Sequence, residues 1–235
     1  MPAIRLQTLS GVPILNDREP ASNYGQDGYR IRPYLDQAFA QRIERAFSFM
    51  FQGIAAAGLG QVTAILAHMP DGGDTNSESS YKSQLRAFSL DGLLLSQGRK
   101  WNAFSFPEKK FEYLLIEAHL RLHFGTVLGY GYDFATQDHL YFDDGEEPGF
   151  QPYSKSRVLF LQNAARYLFD RMIKVDGIYG PETQLAERRL RTELQIGKLT
   201  DLDNWTALLS AIIEEAQDRL ADPSLQALTT EFVPT

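Results

Sequence analysis

Residues 145–152, with the sequence GEEPGFQP, divide the chain into two parts that have different hydrophobic patterns. Before this segment, helical spacing alternates with short apolar stretches that are typical of strands. After it, the apolar residues follow helical spacing only. Glycine and proline at this density indicate a connection between domains. The sequence therefore predicts an α+β domain over residues 1–147 and a bundle of three helices over 153–215, with 216–235 as a tail.

Length and composition are compatible with two folded domains and exclude several classes of protein. The 235 residues are 43% hydrophobic and 23% charged, which is ordinary for globular domains. The formal net charge of −7 argues against a nucleic-acid-binding surface, because binding phosphates requires clustered lysine and arginine. The absence of cysteine excludes disulfides, thiolate zinc sites and a cysteine nucleophile.

Neither a secretory signal nor a membrane span is recognisable in the sequence. The N-terminus mixes Leu, Ser, Gly and Pro, and it lacks the roughly 7–15 continuous apolar residues of a signal peptide. No stretch approaches the ~18 apolar residues of a membrane-spanning helix. We therefore expect a protein that is synthesised in the cytoplasm without an export signal.

An irregular arm and two helices are predicted in the first part of the chain. Residues 1–33 are rich in Pro, Gly, Asn and Asp, which indicates an irregular arm with room for a short strand. A helix is expected from Leu35, because apolar residues then recur every four positions as far as Ile54. A second helix is expected to begin at Pro107, since its missing N–H is tolerated at a helix start.

Three strands are predicted in the same part, and they come from distant segments. Residues 62–68 (VTAILAH) form a short apolar stretch, which indicates a buried strand. Residues 86–95 (RAFSLDGLLL) and 138–143 (DHLYFD) alternate between two kinds of side chain, as strands with two different faces do. Because such strands must pair non-locally, we expect a small antiparallel sheet.

The alternation places polar side chains of two of these strands on one face of the sheet. The residues expected on this face are His139, Tyr141 and Asp143 in one strand and Ala87, Ser89, Asp91 and Leu93 in the other. If the strands are neighbours, the polar members of this set surround one spot. The sequence therefore predicts a polar cluster there.

The four histidines do not form a recognisable metal motif. His119 and His123 are four residues apart and so can share a helix face, but Leu120 stands where zinc proteases of the H-E-x-x-H type have glutamate. We interpret this pair as part of an ordinary helix surface and His68 as a structural residue at a strand end. The sequence contains neither a G-x-S-x-G nucleophile elbow nor a G-x-x-x-x-G-K-[ST] phosphate loop.

Three stretches carry a resemblance to a known family. RAFSLDG (86–92), FGTVLGYGY (124–132) and DHLYFD (138–143) resemble the extensin-like C-terminal domain, a bacterial relative of the zinc D-Ala-D-Ala carboxypeptidases. With the helix from Leu35 as the leading helix of that family, the resemblance covers roughly residues 30–145. It implies a peptidase-like α+β fold.

The same resemblance implies that the metal ligands of this family are lost here. It places them at Lys82, Ser89 and Tyr141, none of which is a normal zinc ligand. The polar residues that remain in the implied pocket are Arg86, Asp91, Asp138 and His139. Without a metal there is no activated water for amide hydrolysis. The resemblance therefore implies a pseudoenzyme with no metal and no cofactor.

The second part of the chain resembles the three-helix peptidoglycan-binding domain of bacterial wall enzymes. The resemblance covers residues 155–212 and is carried by VDGIYGPET (175–183) together with Trp205 and Leu208. The Asp-Gly pair in this motif favours a tight turn, and the proline favours the start of the next helix. If the wall is bound, we expect the contact near this turn, with an exposed Tyr179 ring against a sugar or the stem peptide. The alternative is that Tyr179 only braces the turn.

The two resemblances favour a non-catalytic protein that binds peptidoglycan or serves as a structural component of a phage tail or phage-tail-like contractile injection particle. Such a particle offers a route to the wall without an export signal, so the expected partners are peptidoglycan and other particle proteins. Irregular arms at both ends are expected to order against such partners.

Two alternatives remain open. The first is a phage-type zinc-dependent cell-wall peptidase, whose metal would occupy a shifted site formed by Asp91, His139 and Asp143. The second is a cytoplasmic scaffold without a wall ligand. A measurement of metal content distinguishes the peptidase from the two other hypotheses. Binding to purified cell walls distinguishes the non-catalytic wall-binding protein from the scaffold.

Overall fold

A computed structural model describes residues 3–16, 29–68, 85–106 and 108–222 and shows an α+β fold. The described strands are β1 (Ala3–Arg5), β2 (Ile14–Asn16), β3 (Arg30–Ile31), β4 (Tyr34–Asp36), β5 (Val62–His68), β6 (Ala87–Leu95), β7 (Lys100–Asn102), β8 (Thr126–Leu128) and β9 (Leu140–Asp143). The described α-helices are α1 (Gln37–Ala56), α2 (Lys110–Arg121), α3 (Lys155–Tyr167), α4 (Pro181–Leu194) and α5 (Leu202–Ala221).

Seven of the strands form one sheet, in the order β3-β2-β5-β6-β9-β8, with β7 also pairing with β6. The pairing of β2 with β5 is parallel, and the other pairs are antiparallel. Ser89 of β6 lies directly opposite Tyr141 of β9. This register confirms that residues 86–95 and 138–143 are neighbouring antiparallel strands. A separate two-stranded sheet joins β1 to β4.

The described residues of the N-terminal arm, predicted to be irregular with a short strand, contain more regular structure than expected. Residues 3–16 supply β1 and β2, and β2 lies against β5 in the larger sheet. Leu9 and Ile14 are fully buried in the core. Each of these strands has only three residues, which is too short to show an alternating pattern. The arm is therefore part of the folded body.

Helix α1 packs against the sheet through aromatic side chains. It begins after Asp36, whose carboxylate accepts hydrogen bonds from the backbone N–H groups of the first turn and so caps the helix. The ring of Phe47 lies 5.9 Å from that of Phe88 in β6 and 6.2 Å from that of Phe142 in β9. Helix α2 begins at Lys110. Pro107, which was expected to open it, lies outside the described residues.

A continuous hydrophobic core joins the parts of the chain on either side of residues 145–152. Helix α2 is buried along nearly its whole length and contacts α1, α3 and α5. Residues 144–154 contain neither helix nor strand, yet the buried residues before and after them belong to one cluster. The three C-terminal helices therefore pack onto the α+β part. Among the described residues, none of the helices combines the length and apolar character needed to cross a membrane.

Two buried arginines fasten α3 to the α+β part. Arg121, at the end of α2, donates to the carbonyl oxygen of Val127 in β8 and to the backbone and side chain of Ser156 in α3. Arg157 donates to the carbonyl oxygen of Gly125 and to Glu146 at 2.6 Å. Both arginines are at most 2% exposed. These contacts fix the position of α3 against β8.

His119 is buried where α1 and α2 cross, so its interpretation as a helix-surface residue is wrong. It is 7% exposed, and neither ring nitrogen has a hydrogen-bond partner among the described residues. A Cβ added to Gly53 of α1 would lie 2.2 Å from His119 Nε2, so the glycine permits this close approach. Burial and, to a smaller extent, the charge of His123 lower the pKa of His119 to about 4.

We predict that His119 makes the fold less stable in mild acid. The unfolded chain protonates this histidine near pH 6.5, whereas the folded chain does so only near its pKa of about 4. The unfolded state therefore binds more protons in this window, and the free energy of unfolding falls by about 3 kcal/mol as pH decreases through it. Urea denaturation at about pH 7 and about pH 4 should show a smaller decrease for His119→Leu. Parallel pH dependence in the two proteins would contradict the prediction.

Candidate metal site

His68, Asp91 and His139 come together at the end of β5. One potential ligand atom of each residue lies within 4.8 Å of those of the other two. His68 Nδ1 lies 2.8 Å from Asp91 Oδ1, and the rings of His68 and His139 are perpendicular, with centroids 4.7 Å apart. Two imidazoles and a carboxylate are donors that bind zinc and similar divalent ions. These three residues form the candidate metal site.

The spacing of the three side chains fits a small divalent ion. Zinc ligands lie about 2.0–2.2 Å from the ion, so two ligands of a tetrahedral site are roughly 3.4 Å apart. Donor atoms within 4.8 Å of one another therefore need to move by about an ångström to close around an ion. The donor set leaves room in a tetrahedral geometry for one further ligand, as catalytic zinc sites with three protein ligands do.

A β-bulge in β6 introduces Asp91 as an extra residue. On the β5 side, Leu66 pairs with Gly92, and the next residue of β5 pairs with Leu90. On the opposite side, Leu90 pairs with β9, whereas Gly92 pairs with β7. Asp91 thus has no Cα partner in these ladders and lies at the junction of two neighbouring strands. Bulges redirect side chains in this way and are common beside functional sites.

The bulge also corrects the predicted faces of β6. Leu93 was expected on the polar face, but it is fully buried in the core. Leu95 is also a buried core residue. Leu94, which a regular alternation places on the opposite face, is only half-buried. Because an extra residue shifts the period-2 alternation by one position, every side chain after Asp91 changes face.

The site is buried on one side and open on the other. Asp91 is fully buried and His139 is 8% exposed, whereas the side chain of His68 is 21% exposed. His139 Nδ1 lies 2.7 Å from the carboxylate of Asp138. A carboxylate that hydrogen-bonds one nitrogen of a ligating histidine orients the ring and raises its basicity. Asp138 is therefore placed to position His139 for metal binding.

The polar residues predicted for β6 and β9 fall into two neighbouring groups. Asp91 and His139 lie in the candidate metal site, and His68 joins them. Asp143 lies in the other group: it accepts a hydrogen bond from the hydroxyl of Tyr141 at 2.8 Å and one from the backbone N–H of Gly145 at 2.9 Å. In the sheet Asp143 pairs with Ala87, four residues before Asp91. The shifted site of the first alternative, formed by Asp91, His139 and Asp143, is therefore wrong in its third member, because Asp143 lies in the other group and His68 lies beside Asp91 and His139.

The remaining residues of the implied pocket lie elsewhere. Arg86, immediately before β6, donates from Nε to Asp144 Oδ1 at 2.9 Å. Ser89 and Tyr141 face each other across β6 and β9. Lys82 lies outside the described residues. Of the polar residues expected in this pocket, the structure groups Asp91, Asp138 and His139.

Sequence reasoning missed His68 as a member of the site. It ends an apolar strand, and a lone histidine in that position carries no motif. The antiparallel pairing of β5 with β6 places His68 opposite Ser89 and beside the bulge at Asp91. Recognising this neighbour relationship in advance would have required the register of two strands that are distant in the sequence.

The VDGIYGPET motif forms a tight connection between α3 and α4 that is held from inside by Gln162. The side-chain oxygen of Gln162 accepts hydrogen bonds from the backbone N–H groups of Asp176 and Gly177 at 3.0 and 2.8 Å. Its amide nitrogen donates to Asp176 and to the hydroxyl of Thr183. Helix α4 then begins at Pro181. The motif therefore has a clear structural role.

Tyr179 is half-buried beside this connection. Its ring packs edge-on against Phe150 at 5.6 Å, and its hydroxyl donates to Glu187 at 3.1 Å. Burial and the charge of Glu187 raise the pKa of Tyr179 to about 12. Ile178 next to it is 64% exposed, and Met172 is 89% exposed. A wall contact through Tyr179 stays a prediction, and the apolar side chains that face outwards here are Ile178 and Met172.

No protein-family model matches this chain, and no curated protein or solved structure matches it either. The two family resemblances therefore stay predictions.

We predict that Gly92→Ala destabilises the fold by about 2 kcal/mol, because the site cannot accommodate a larger residue after the bulge. The added Cβ would lie 2.4 Å from the carbonyl oxygen of Trp101 and 2.9 Å from Asn102 Oδ1. A backbone carbonyl in a paired strand cannot move away without breaking the ladder. Gly180→Ala, where nothing lies within 4 Å of the added Cβ, is the matched control and should change stability by less than about 1 kcal/mol. Equal urea midpoints for the two variants would refute this role of Gly92.

Proposed function

We propose that the protein is a metal-dependent peptidase that acts on the peptides of bacterial cell walls, with a divalent cation held by His68, Asp91 and His139. The observation that carries the proposal is the convergence of these side chains from the end of β5, the bulge of β6 and the residue before β9. The wall substrate rests on the resemblances of residues 86–143 and 155–212. The proposal replaces the expected pseudoenzyme, because His68, which the sequence analysis interpreted as structural, offers a third donor beside Asp91 and His139.

The residues around the candidate metal site have separable roles. A zinc ion in such a donor set lowers the pKa of a bound water to about 7 and polarises a carbonyl group. Asp138 holds the Nδ1 side of His139 and fixes the ring orientation. Asp91, fully buried, fixes His68 through its Nδ1. The exposed side of His68 gives a substrate its approach to the site.

The first test is metal binding by the full-length protein. We expect one equivalent of zinc per chain, with affinity at least about 100-fold lower in Asp91→Asn and His139→Gln, since even partners of the ligands contribute 10–100-fold. His123→Gln replaces a half-buried histidine that stacks on Phe49, and it serves as the control. A rise in melting temperature with zinc in the control but not in Asp91→Asn provides a second readout. Wild-type protein without stoichiometric zinc would contradict the proposal.

Hydrolysis is tested on purified cell-wall sacculi. We expect release of new amino groups by the zinc-loaded protein, and the loss of this release on chelation and in Asp91→Asn. Zinc binding without any release of amino groups would contradict the peptidase activity. It would still be compatible with a metal-binding wall protein.

A second candidate function is a non-catalytic wall-binding or structural component of a phage tail or phage-tail-like contractile injection particle. It is favoured by the pairing of Ser89 with Tyr141, since these residues stand at two of the ligand positions implied by the family resemblance. In this case the candidate metal site serves stability or recognition, and the helical part provides the wall contact.

We predict that the outward-facing apolar residues beside the VDGIYGPET connection contribute to wall binding. Ile178→Ser in the full-length protein should reduce co-sedimentation with sacculi several-fold, because about 1–2 kcal/mol of apolar contact is lost. Leu202→Ser, at a 53% exposed position at the start of α5, is the matched control. Equal retention of the two variants would place the wall contact elsewhere. A wild-type protein that does not sediment at all would support the scaffold without a wall ligand.

A further inference from the structure

A cavity of about 170 Å³ lies between the end of α1, strands β6 and β7, and the first half of α2. It shares no lining residue with the candidate metal site. Its apolar lining consists of Ile54, Leu59, Leu93, Leu95 and Ile116. An engineered apolar cavity of about 150 Å³ binds benzene. The cavity is therefore large enough for an apolar group of about six carbon atoms.

The polar lining of the cavity is predominantly cationic. Arg99, Lys100 and Lys109 contribute positive charges, and Glu112 contributes one carboxylate. Lys109 Nζ is held at 2.8 Å from the carbonyl oxygen of Lys100, and Arg99 is exposed at the rim. This local excess of positive charge contrasts with the formal net charge of −7 of the whole chain. It favours an anionic ligand over a cationic one.

Trp101 adds a hydrogen-bond donor to the same cavity. It lines the cavity and is 2% exposed, and its indole N–H has no partner among the described residues. Buried donors are nearly always hydrogen-bonded, because an unsatisfied N–H is unfavourable. An acceptor oxygen of a bound molecule would satisfy this donor. The orphan donor is the second observation, besides the charges, that points to a ligand.

We propose that this cavity binds a small amphipathic carboxylate, whose compact apolar group contacts Leu93 and Leu95 and whose carboxylate is held by Arg99 and Lys109. The inference is independent of the peptidase proposal, because the two sites have no residue in common. Burial raises the pKa of Glu112, while the charges of Lys109 and Arg99 oppose the shift. A bound carboxylate would repel the ionised form of Glu112, so binding should strengthen as Glu112 becomes protonated at lower pH.

Calorimetric titration of the full-length protein with benzoate tests the proposal. We expect saturable binding to one site, with a dissociation constant in the millimolar range or below. Benzyl alcohol has the same ring without the charge and should bind about tenfold more weakly, which corresponds to the loss of one charge-assisted contact. Benzylamine, which is cationic, should not compete.

Variants of the cationic residues separate the site from non-specific binding. Arg99→Gln and Lys109→Gln should each weaken benzoate about tenfold, whereas Lys198→Gln, at an exposed position between α4 and α5, should leave it unchanged. Zinc binding should be the same in all three variants, so a failure here is distinguishable from a failure of the peptidase proposal. Trp101→Phe keeps a large ring but removes the indole N–H, and it should weaken benzoate several-fold.

Three results would overturn the proposal. The first is the absence of saturation by benzoate below about 10 mM, since binding weaker than this carries no specificity. The second is equal affinity for benzyl alcohol. The third is unchanged benzoate affinity in both Arg99→Gln and Lys109→Gln while these variants keep the wild-type melting temperature.

Discussion

Arg121 is the group on which the relative positions of α2, α3 and the sheet depend. Its guanidinium is almost fully buried, pairs with Glu117 one turn earlier, and also donates to β8 and α3. Its positive charge also lies 4.8 Å from the ring centre of Phe160 in α3. Removing the partner of a buried charge destabilises a protein by about 3–5 kcal/mol. Loss of Glu117 would therefore disturb the other contacts of Arg121 as well. Helix α2, held in this way, lines the cavity of about 170 Å³ and provides the surface that α5 covers.

The extra residue in β6 links the two proposed sites. On one face of the sheet, the bulge directs Asp91 towards His68 and His139. On the other face, the shifted alternation brings Leu93 and Leu95 to the cavity lined also by α1 and α2. In a strand without the bulge, Leu93 and Leu95 would lie on the polar face, and other residues would line this side of the cavity. One local irregularity therefore determines the chemistry of both faces.

Local signals in the sequence were sufficient for much of the fold. Strand β5 has the predicted bounds, and α1 begins two residues after Leu35 because Asp36 caps it. The neighbouring positions of Ser89 and Tyr141 were also predicted. The bulge, the three-residue strands of the N-terminal arm and the role of His68 were not, because each depends on partners distant in the chain. Gly and Pro in residues 145–152 predicted a connection, and the structure shows neither helix nor strand over 144–154. These residues could not indicate that buried arginines join the segments on its two sides.

The continuity of the core has a consequence for synthesis of the protein. Helix α2 ends at Arg121, and α5, which packs on it, begins only at Leu202. While the chain leaves the ribosome, the apolar surface of α2 that α5 covers stays exposed until α5 has been made. Such exposed surface makes incomplete chains prone to aggregation. Among the described elements, α5 is therefore the one that completes the core around α2.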